Sequence, residues 1–188
     1  MNIGVIGRGK VGNTLGGTWA KKGHRVLFGS RTPVPGQSVS WREALAPSQV
    51  ILLSIPGQAV DEQKTLDAMT WKDKIIIDAT NRFDGISNLA VLERLGPGVK
   101  VVRAFNSVGF EVMAHPEFSG TAASMLFAGE DSEAKSLVAK LIQDIGFDPM
   151  DLGDASAIPV LNDFVRGIWF PLTKTWGRRV AIRVLREG

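Results

Sequence analysis

Three glycines near the N-terminus have the spacing of a turn that binds phosphate. They form a G-x-G-x-x-G motif whose residues are Gly7, Arg8, Gly9, Lys10, Val11 and Gly12. In such a motif the glycines permit a tight turn after a strand, close approach of a pyrophosphate, and close packing of the next helix on the strand. The amide groups and the dipole at the start of that helix then attract the phosphates.

The residues around the motif supply the structural context that this chemistry needs. An apolar strand over 3–6 precedes it, a helical segment over 10–22 follows, and a second strand begins at Arg25. Strand, turn, helix and strand within about 30 residues form the βαβ unit that binds dinucleotides. We therefore predict a dinucleotide site here rather than only a tight connection.

The end of the second predicted strand indicates which dinucleotide would bind. Sites for NAD place an Asp or Glu there to hold the ribose 2′-hydroxyl. In this chain the strand is followed by Ser30, Arg31 and Thr32 instead. A guanidinium and two hydroxyls can bind a 2′-phosphate through charge-assisted hydrogen bonds. The sequence therefore predicts NADP(H) rather than NAD(H).

Further residues at the ends of the predicted strands would line the same crevice, because ligands bind beyond the carboxyl ends of parallel strands. The residues that we predict there are Ser54, Ile55, Pro56, Asn81, Phe105 and Asn106. The two asparagines offer hydrogen bonds near the nicotinamide, and the phenylalanine offers an apolar surface. Each of them could instead cap a turn or fill the core.

The chain lacks the residue types of several kinds of catalysis. It has no cysteine and no tyrosine, and its two histidines, His24 and His115, lie far apart. Thiolate chemistry, disulfides and tyrosine proton donors are therefore excluded, and we predict no catalytic acid or base and no metal site. Reduction of a carbonyl usually requires a proton donor, whereas hydride exchange between two ring cofactors requires mainly alignment.

The alternation of apolar runs and helix-sized segments predicts the fold class. The predicted strands are Ile3–Ile6, Arg25–Phe28, Val50–Ile55, Ile75–Ile77, Val99–Phe105, Ala122–Ala128 and Phe147–Leu152. The predicted helices cover 10–22, 57–69, 88–95 and Ser132–Ile145, the last with Asp131 as N-cap and Gly146 after its end. Continuous apolar strands that alternate with helices predict an α/β, Rossmann-like, doubly wound parallel sheet.

The C-terminal part of the chain departs from this alternation. Residues 155–185 are predicted to form helical segments broken at Pro159, Pro171 and Gly177. We therefore predict a dinucleotide-binding domain over 1–153 and a C-terminal helical extension over 154–188, within one compact unit. The apolar residues of the extension could form a homodimer interface or could pack onto the sheet.

Charge and hydropathy restrict the partners of the protein. The net charge is +3, and residues 166–188 contain six basic residues and one acidic residue. This segment could be a solvated helix face or a face for an anion or a partner, whereas no motif favours nucleic acid. There is no apolar run of about 18 residues and no signal-peptide pattern at the N-terminus, so we expect a cytoplasmic protein without a membrane span.

Motifs spread over nearly the whole chain resemble one known family. They lie at 3–12, 23–24, 28–31, 54–56, 78–81, 104–109 and 127–131. The Gly-Ser-Arg of residues 29–31 and the Phe-Asn-Ser-Val-Gly of residues 105–109 are the more specific ones. In this order they resemble the F420-dependent NADP reductases, the NADPH:F420 oxidoreductases, which are related to the oxidoreductase domain of transmembrane metalloreductases.

The resemblance implies reversible hydride transfer between NADP(H) and the deazaflavin coenzyme F420. It implies that residues 8–11 hold the pyrophosphate and that residues 30–31 hold the 2′-phosphate. Pro56 and Val60 would border the dinucleotide, Ala104 would lie near the nicotinamide, and the deazaflavin would stack over it beside the C-terminal helices. Two other functions stay open: an NADPH-dependent reductase of a small imine or carbonyl, and a non-catalytic NADPH-binding module that senses redox state.

Overall fold

The computed structural model of this chain describes residues 1–65, 68–82, 84 and 86–187. Its strands are β1 (Asn2–Ile6), β2 (Arg25–Ser30), β3 (Val39–Ser40), β4 (Val50–Leu53), β5 (Ile75–Asp78), β6 (Lys100–Arg103), β7 (Glu117–Phe118), β8 (Thr121–Ala122), β9 (Ser124–Gly129) and β10 (Asp148–Asp151). Eight of them form one sheet in the order β10-β9-β6-β5-β4-β1-β2-β3, while β7 and β8 form a small antiparallel pair.

Helices cover both faces of this sheet. They are α1 (Lys10–Lys21), α2 (Trp41–Leu45), α3 (Leu89–Leu92), α4 (Phe110–Ala114), α5 (Ser132–Ile145), α6 (Ile158–Phe164) and α7 (Phe170–Trp176). Short 3₁₀ segments lie at Gly57–Thr65, Ala68–Trp71 and Ala155–Ala157, and a π-helical turn lies at Val165–Trp169. The last four helical segments follow one another without a gap over 155–176. No helix of the described residues is long and apolar enough to cross a bilayer.

The strand order places a crevice at the start of the chain. β1 pairs in parallel with β2 on one side and with β4 on the other, so the chain winds in opposite directions from β1. In open α/β sheets, ligands bind at such a switch point, outside the carboxyl ends of the strands. Only the pairing of β6 with β9 is antiparallel in this sheet. The prediction of a doubly wound, Rossmann-like sheet is thus confirmed.

Alternating side chains of the strands build a core on each face of the sheet. On one face Val5 packs with Leu15 and Trp19 of α1 and with the apolar side of α5. On the other face Ile6 packs with Leu45 of α2 and with the 3₁₀ segments. Both faces are covered because successive side chains of a strand point to opposite sides of the sheet.

Several predicted elements differ in length from the observed ones. The helix predicted over 57–69 is a pair of 3₁₀ segments, with residues 66 and 67 outside the described part of the chain, and the one predicted over 88–95 is only α3. By contrast, α5 covers Ser132–Ile145 as predicted. The Asp131 carboxylate accepts a hydrogen bond from the Ala134 amide at 2.8 Å, and Gly146 has a φ of +107°.

The helical prediction for residues 155–185 is wrong for the part that follows Gly177. The helical run passes Pro159 and Pro171 and ends at Gly177, after which residues 178–187 are not helical. This tail (residues 178–187) runs beside β9, where the Ser124 amide donates to the Ile182 carbonyl at 2.9 Å. Backbone pairing and arginine contacts with the body of the protein hold it there, and sequence periodicity does not reveal such contacts.

Candidate functional site

The glycine turn has the geometry that the motif predicts. Gly7 has a φ of +110°, and a Cβ there would lie 2.7 Å from the Ser54 carbonyl oxygen. A Cβ at Gly12 would overlap the Gly7 carbonyl oxygen. The Ser54 hydroxyl donates to that same carbonyl at 3.0 Å and fixes the turn. Two of the three glycines are therefore required by the packing of the protein itself.

Gly9 differs from the other two glycines because no described part of the protein requires a glycine there. Its φ is −72°, which any residue adopts, and no atom of the described residues lies within 4 Å of a Cβ built on it. It is the N-cap of α1, and within the described chain no side chain caps this helix end. Open space in front of free amide groups fits a pyrophosphate. The other predicted residues of the turn, Arg8, Lys10 and Val11, flank this space.

The residues predicted to hold the 2′-phosphate lie at the end of β2, where Ser30 is its last residue and Arg31 and Thr32 follow. The Ser30 hydroxyl donates to the Thr32 carbonyl at 2.8 Å and accepts from the Thr32 amide at 3.1 Å. Arg31 is exposed, and its Nη1 atom contacts both carboxylate oxygens of Glu62, at 2.9 and 3.2 Å. Sequence reasoning missed Glu62, because its segment gives no sign that it folds back onto β2.

A cavity of about 320 Å³ lies between the carboxyl ends of β5 and β6 and the C-terminal helical run. It joins the first turn of α1, and its lining includes four of the predicted residues. The lining residues are Val11, Ala79, Asn81, Phe105, Asn106, Val108, Gly109, Phe110, Met113, Trp169, Phe170 and Arg178. We call it the cleft. It lies where the resemblance implies the nicotinamide and its acceptor.

Phe105 borders the cleft but does not offer it the face of a ring. The residue is 1% exposed, and its ring packs edge-to-face against Trp19 at 5.9 Å and against Phe147 at 6.5 Å. Its φ of +60° lies in the left-handed region, which is rare and costly for a bulky residue. The apolar surface predicted here belongs to the core, and the strained backbone turns the chain at the end of β6.

A buried ion pair at the ends of β5 and β6 holds Asn81, a polar residue of the cleft. Asp78 and Arg103 face each other in register, and Arg103 Nη1 lies 3.0 Å from an oxygen of the Asp78 carboxylate. Arg103 Nη2 donates to Asn81 Oδ1 at 3.1 Å, and Nε donates to Asn162 Oδ1 at 3.1 Å. The sequence analysis did not predict this pair. A usable signal was present, because each of the two neighbouring apolar strands ends in a charged residue.

Two buried polar atoms of the cleft residues lack hydrogen-bond partners among the described residues. They are Oδ1 of Asn106, an acceptor, and Nε1 of Trp169, a donor. The Asn106 amide nitrogen donates to the Leu161 carbonyl at 3.1 Å, and the Asn106 carbonyl accepts from Asn81 at 3.4 Å. Unpaired buried polar groups are uncommon and point to a bound partner or a functional role.

Charged side chains lie at the mouth of the cleft. Lys10 Nζ lies 4.6 Å from the centre of the Phe110 ring, and Arg178 stacks on Trp169 at 5.3 Å. Arg178 also donates to Glu111 at 2.7 Å. Burial alone would raise the pKa of Glu111, but the hydrogen bond and charge of Arg178, with the charge of Lys10, hold it below its ordinary value. Glu111 is therefore ionised at neutral pH and is not a proton donor.

The remaining predicted residues lie in the core or at the rim. Val60 and Ala104 are 0% exposed, and Val60 belongs to the core beneath the 3₁₀ segment. The places of Val60 beside the dinucleotide and of Ala104 near the nicotinamide stay predictions. Pro56 is exposed, and Ile55 is partly buried against the core. No group of three or more potential metal ligands occurs within the described ranges.

Comparison with known proteins agrees with the fold. A family model described as NADP oxidoreductase, coenzyme F420-dependent, matches residues 2–82. The chain is also similar to the metalloreductase STEAP3 of Rattus norvegicus, with 26% identity over 82% of this chain and 34% of that protein. The chain thus spans about a third of the length of this relative.

Solved structures share the architecture over almost the whole chain. A candidate F420-dependent NADP reductase from Arthrobacter sp. FB24 matches with a TM-score of 0.88 and 24% identity, over 99% of this chain and 100% of that one. An imine reductase of Streptomyces aurantiacus matches with a TM-score of 0.72 and 15% identity, over 93% and 64%. These likenesses confirm the dinucleotide-binding fold.

The resemblance found in the motifs is therefore confirmed: the chain is similar to F420-dependent NADP reductases in its first 82 residues and in its overall fold. The matched family consists of NADP oxidoreductases, which is the enzyme class predicted from the sequence.

Proposed function

We propose that this protein transfers a hydride between NADP(H) and a planar acceptor of the deazaflavin type, coenzyme F420. The observation that supports it most directly is the cleft, which joins the first turn of α1 to an aromatic wall formed by Phe110, Trp169 and Phe170. Such a space suits two flat rings stacked face to face, since hydride transfer requires them at near-contact distance. NADPH supplies the hydride when it is bound.

Different residues of the site would bind different parts of the two cofactors. The turn around Gly9 would hold the pyrophosphate at the start of α1, and Arg31 would bind the 2′-phosphate. The unpaired atoms of Asn106 and Trp169 offer one acceptor and one donor to a carboxamide or to the polar edge of the acceptor ring. The C-terminal helical run covers the cleft and would exclude water from the stacked rings.

The cleft residues also favour a ring acceptor over a small carbonyl. Among the described residues that line it, none is a histidine, a carboxylic acid or a lysine. Reduction of a carbonyl usually needs such a group as proton donor. An NADPH-dependent reductase of a small imine is the second candidate, favoured by the fold shared with imine reductases. A redox-sensing module without turnover is the third.

One assay separates the three candidates. The protein is mixed with NADPH and oxidised F420, and the absorbances of both cofactors are followed, with Gly9→Val as the matched inactive control. We expect NADPH oxidation and F420 reduction in equal amounts. Turnover of cyclic imines but not of F420 would favour the second candidate. Tight NADPH binding without turnover over the whole panel would favour the third.

We also propose a homodimer formed through the C-terminal helical run. Of its apolar residues, Ile158, Leu161 and Trp169 are buried within the chain, whereas Val160 is 59% exposed and Ile168 is 46% exposed. Ile158 and Leu161 pack against Leu126 and Ala128 of β9, so intramolecular packing explains only part of the apolar surface of the run. Light scattering after gel filtration tests the proposal: the wild type should elute as a dimer, and Ile168→Glu should shift it toward a monomer.

A further inference from the structure

The structure supplies an acidic side chain at the ribose end of the dinucleotide site, where the sequence has none. Glu62 comes from the 3₁₀ segment that follows β4, and both of its carboxylate oxygens lie within 3.2 Å of Arg31 Nη1. Both side chains are accessible, at 69% for Arg31 and 41% for Glu62. A ligand that reaches Arg31 therefore meets Glu62 as well.

The two side chains favour different dinucleotides. A carboxylate at the end of the second strand accepts the ribose 2′-hydroxyl of NAD, whereas an arginine there binds the 2′-phosphate of NADP. Here both charges are present and in contact, so the site contains the recognition group for each cofactor.

Because Glu62 contacts Arg31, it affects how strongly Arg31 can bind the 2′-phosphate of NADP. A 2′-phosphate carries close to two negative charges at neutral pH. It would approach Arg31 against the charge of Glu62 and would have to replace or share the contacts at Nη1. Exposed ion pairs are weak, so a phosphate can displace this one. The contacts described between the two side chains are made by Nη1 of Arg31.

We propose that Glu62 is a cofactor-specificity residue: it competes with the 2′-phosphate for Arg31 and accepts the 2′-hydroxyl of NAD(H), so that the protein binds both NADPH and NADH. This inference rests on the proposed dinucleotide function, and it assigns a role to one residue within it.

Dissociation constants of NADPH and NADH, measured by titration calorimetry for the wild type, Glu62→Gln and Asp61→Asn, test the proposal. Asp61→Asn is the matched control, because it removes the same charge one residue away on an exposed side chain. We expect Glu62→Gln to bind NADPH roughly threefold to tenfold more tightly and NADH more weakly. Asp61→Asn should leave the ratio of the two constants as it is in the wild type.

The double variant Arg31→Ala/Glu62→Gln shows whether Glu62 acts through the arginine. In the absence of Arg31, the Glu62→Gln change should increase the affinity for NADPH less than it does in the presence of Arg31. If Glu62→Gln and Asp61→Asn have equal effects, or if Glu62→Gln weakens both cofactors equally, the role of Glu62 is wrong while the dinucleotide site stands. If the folded wild type binds neither cofactor, the proposed function fails and this inference fails with it.

Discussion

Two arginine–carboxylate pairs lie at the carboxyl edge of the sheet, one at each end of the proposed site. Arg103 and Asp78 are 3.0 Å apart, with side chains 4% and 6% exposed. Arg31 and Glu62 are 2.9 Å apart, with side chains 69% and 41% exposed. The distances are nearly equal, so distance does not tell the two pairs apart.

Burial and the number of partners separate their roles. Arg103 donates to carbonyl oxygens of Asp78 and Thr80 and to the side chains of Asn81 and Asn162, so its hydrogen-bonding capacity is used inside the protein. Arg31 contacts one carboxylate at the surface and can exchange it for a ligand. The buried pair therefore holds Asn81 of the cleft in place, and the exposed pair is available for recognition.

Loss of one member of the buried pair should have the largest effect. Arg103→Met leaves the Asp78 carboxylate buried without its counter-ion, and breaking such a pair costs about 3–5 kcal/mol of unfolding free energy. Urea unfolding followed by circular dichroism measures this loss. The double variant Asp78→Leu/Arg103→Met should be more stable than Arg103→Met, because no unpaired charge remains. A single variant as stable as the wild type would show that the pair is not structural.

Gly9 and Gly12 should also differ in role, because Gly9 faces the ligand and Gly12 is required by the packing of the protein. Gly9→Val places a branched side chain in the open space before α1, so we expect NADPH affinity to fall at least about 100-fold with the fold retained. Gly12→Val should instead destabilise the protein, since its side chain meets the Gly7 carbonyl. Thermal unfolding and NADPH titration of both variants check this. Retained affinity in folded Gly9→Val would mean that the turn is only a connection.

Arg31→Ala tests the role of the arginine in the exposed Arg31–Glu62 pair. Hydrogen bonds to charged groups contribute about 1.5–3 kcal/mol, so NADPH affinity should fall roughly tenfold to 100-fold, and NADH should be affected much less. Arg42→Ala, an exposed arginine of α2, is a suitable control. Equal losses for both dinucleotides would remove the assignment of the 2′-phosphate to Arg31.

Two adjacent arginines of the tail also differ in role, one facing the cleft and the other holding the backbone. Arg178 borders the cleft, whereas Arg179 donates to the carbonyls of Glu111, His115 and Glu117. Arg178→Ala should raise the KM for the proposed acceptor F420, which is anionic, roughly twofold to fivefold, and more at low salt. Arg179→Ala should lower the melting temperature and leave this KM nearly unchanged. Steady-state kinetics at two salt concentrations separate the two roles.

The smallest expected effect is on stability at low pH. Glu111 accepts a hydrogen bond from Arg178 of the tail, and this contact should depend on pH. The pKa of this carboxyl is lowered in the folded protein. Its contribution to stability is therefore fully present above the ordinary carboxyl pKa and is lost as the pH falls through the folded value. The melting temperatures of wild type and Glu111→Gln should converge as the pH falls below about 4.5. A difference that stays constant down to pH 3 would contradict this.

The sequence by itself determined the features that depend on residues close together in the chain. The glycine turn, α1 and β2 lie within the first 30 residues, so spacing and residue type predicted them. The cap and the terminal glycine of α5 act on their own helix and were equally readable. Residues 155–176 were identified as helical, because apolar periodicity is a local property.

Only the tertiary structure decided the features that join distant segments. Glu62 reaches Arg31 from a different element, and Arg103 meets Asp78 across a strand pairing. The tail lies beside β9 because of backbone and arginine contacts that no periodicity encodes. The left-handed backbone of Phe105 depends on a core that holds its ring in place. Each of these rests on contacts between residues far apart in sequence, which form only once the chain has folded.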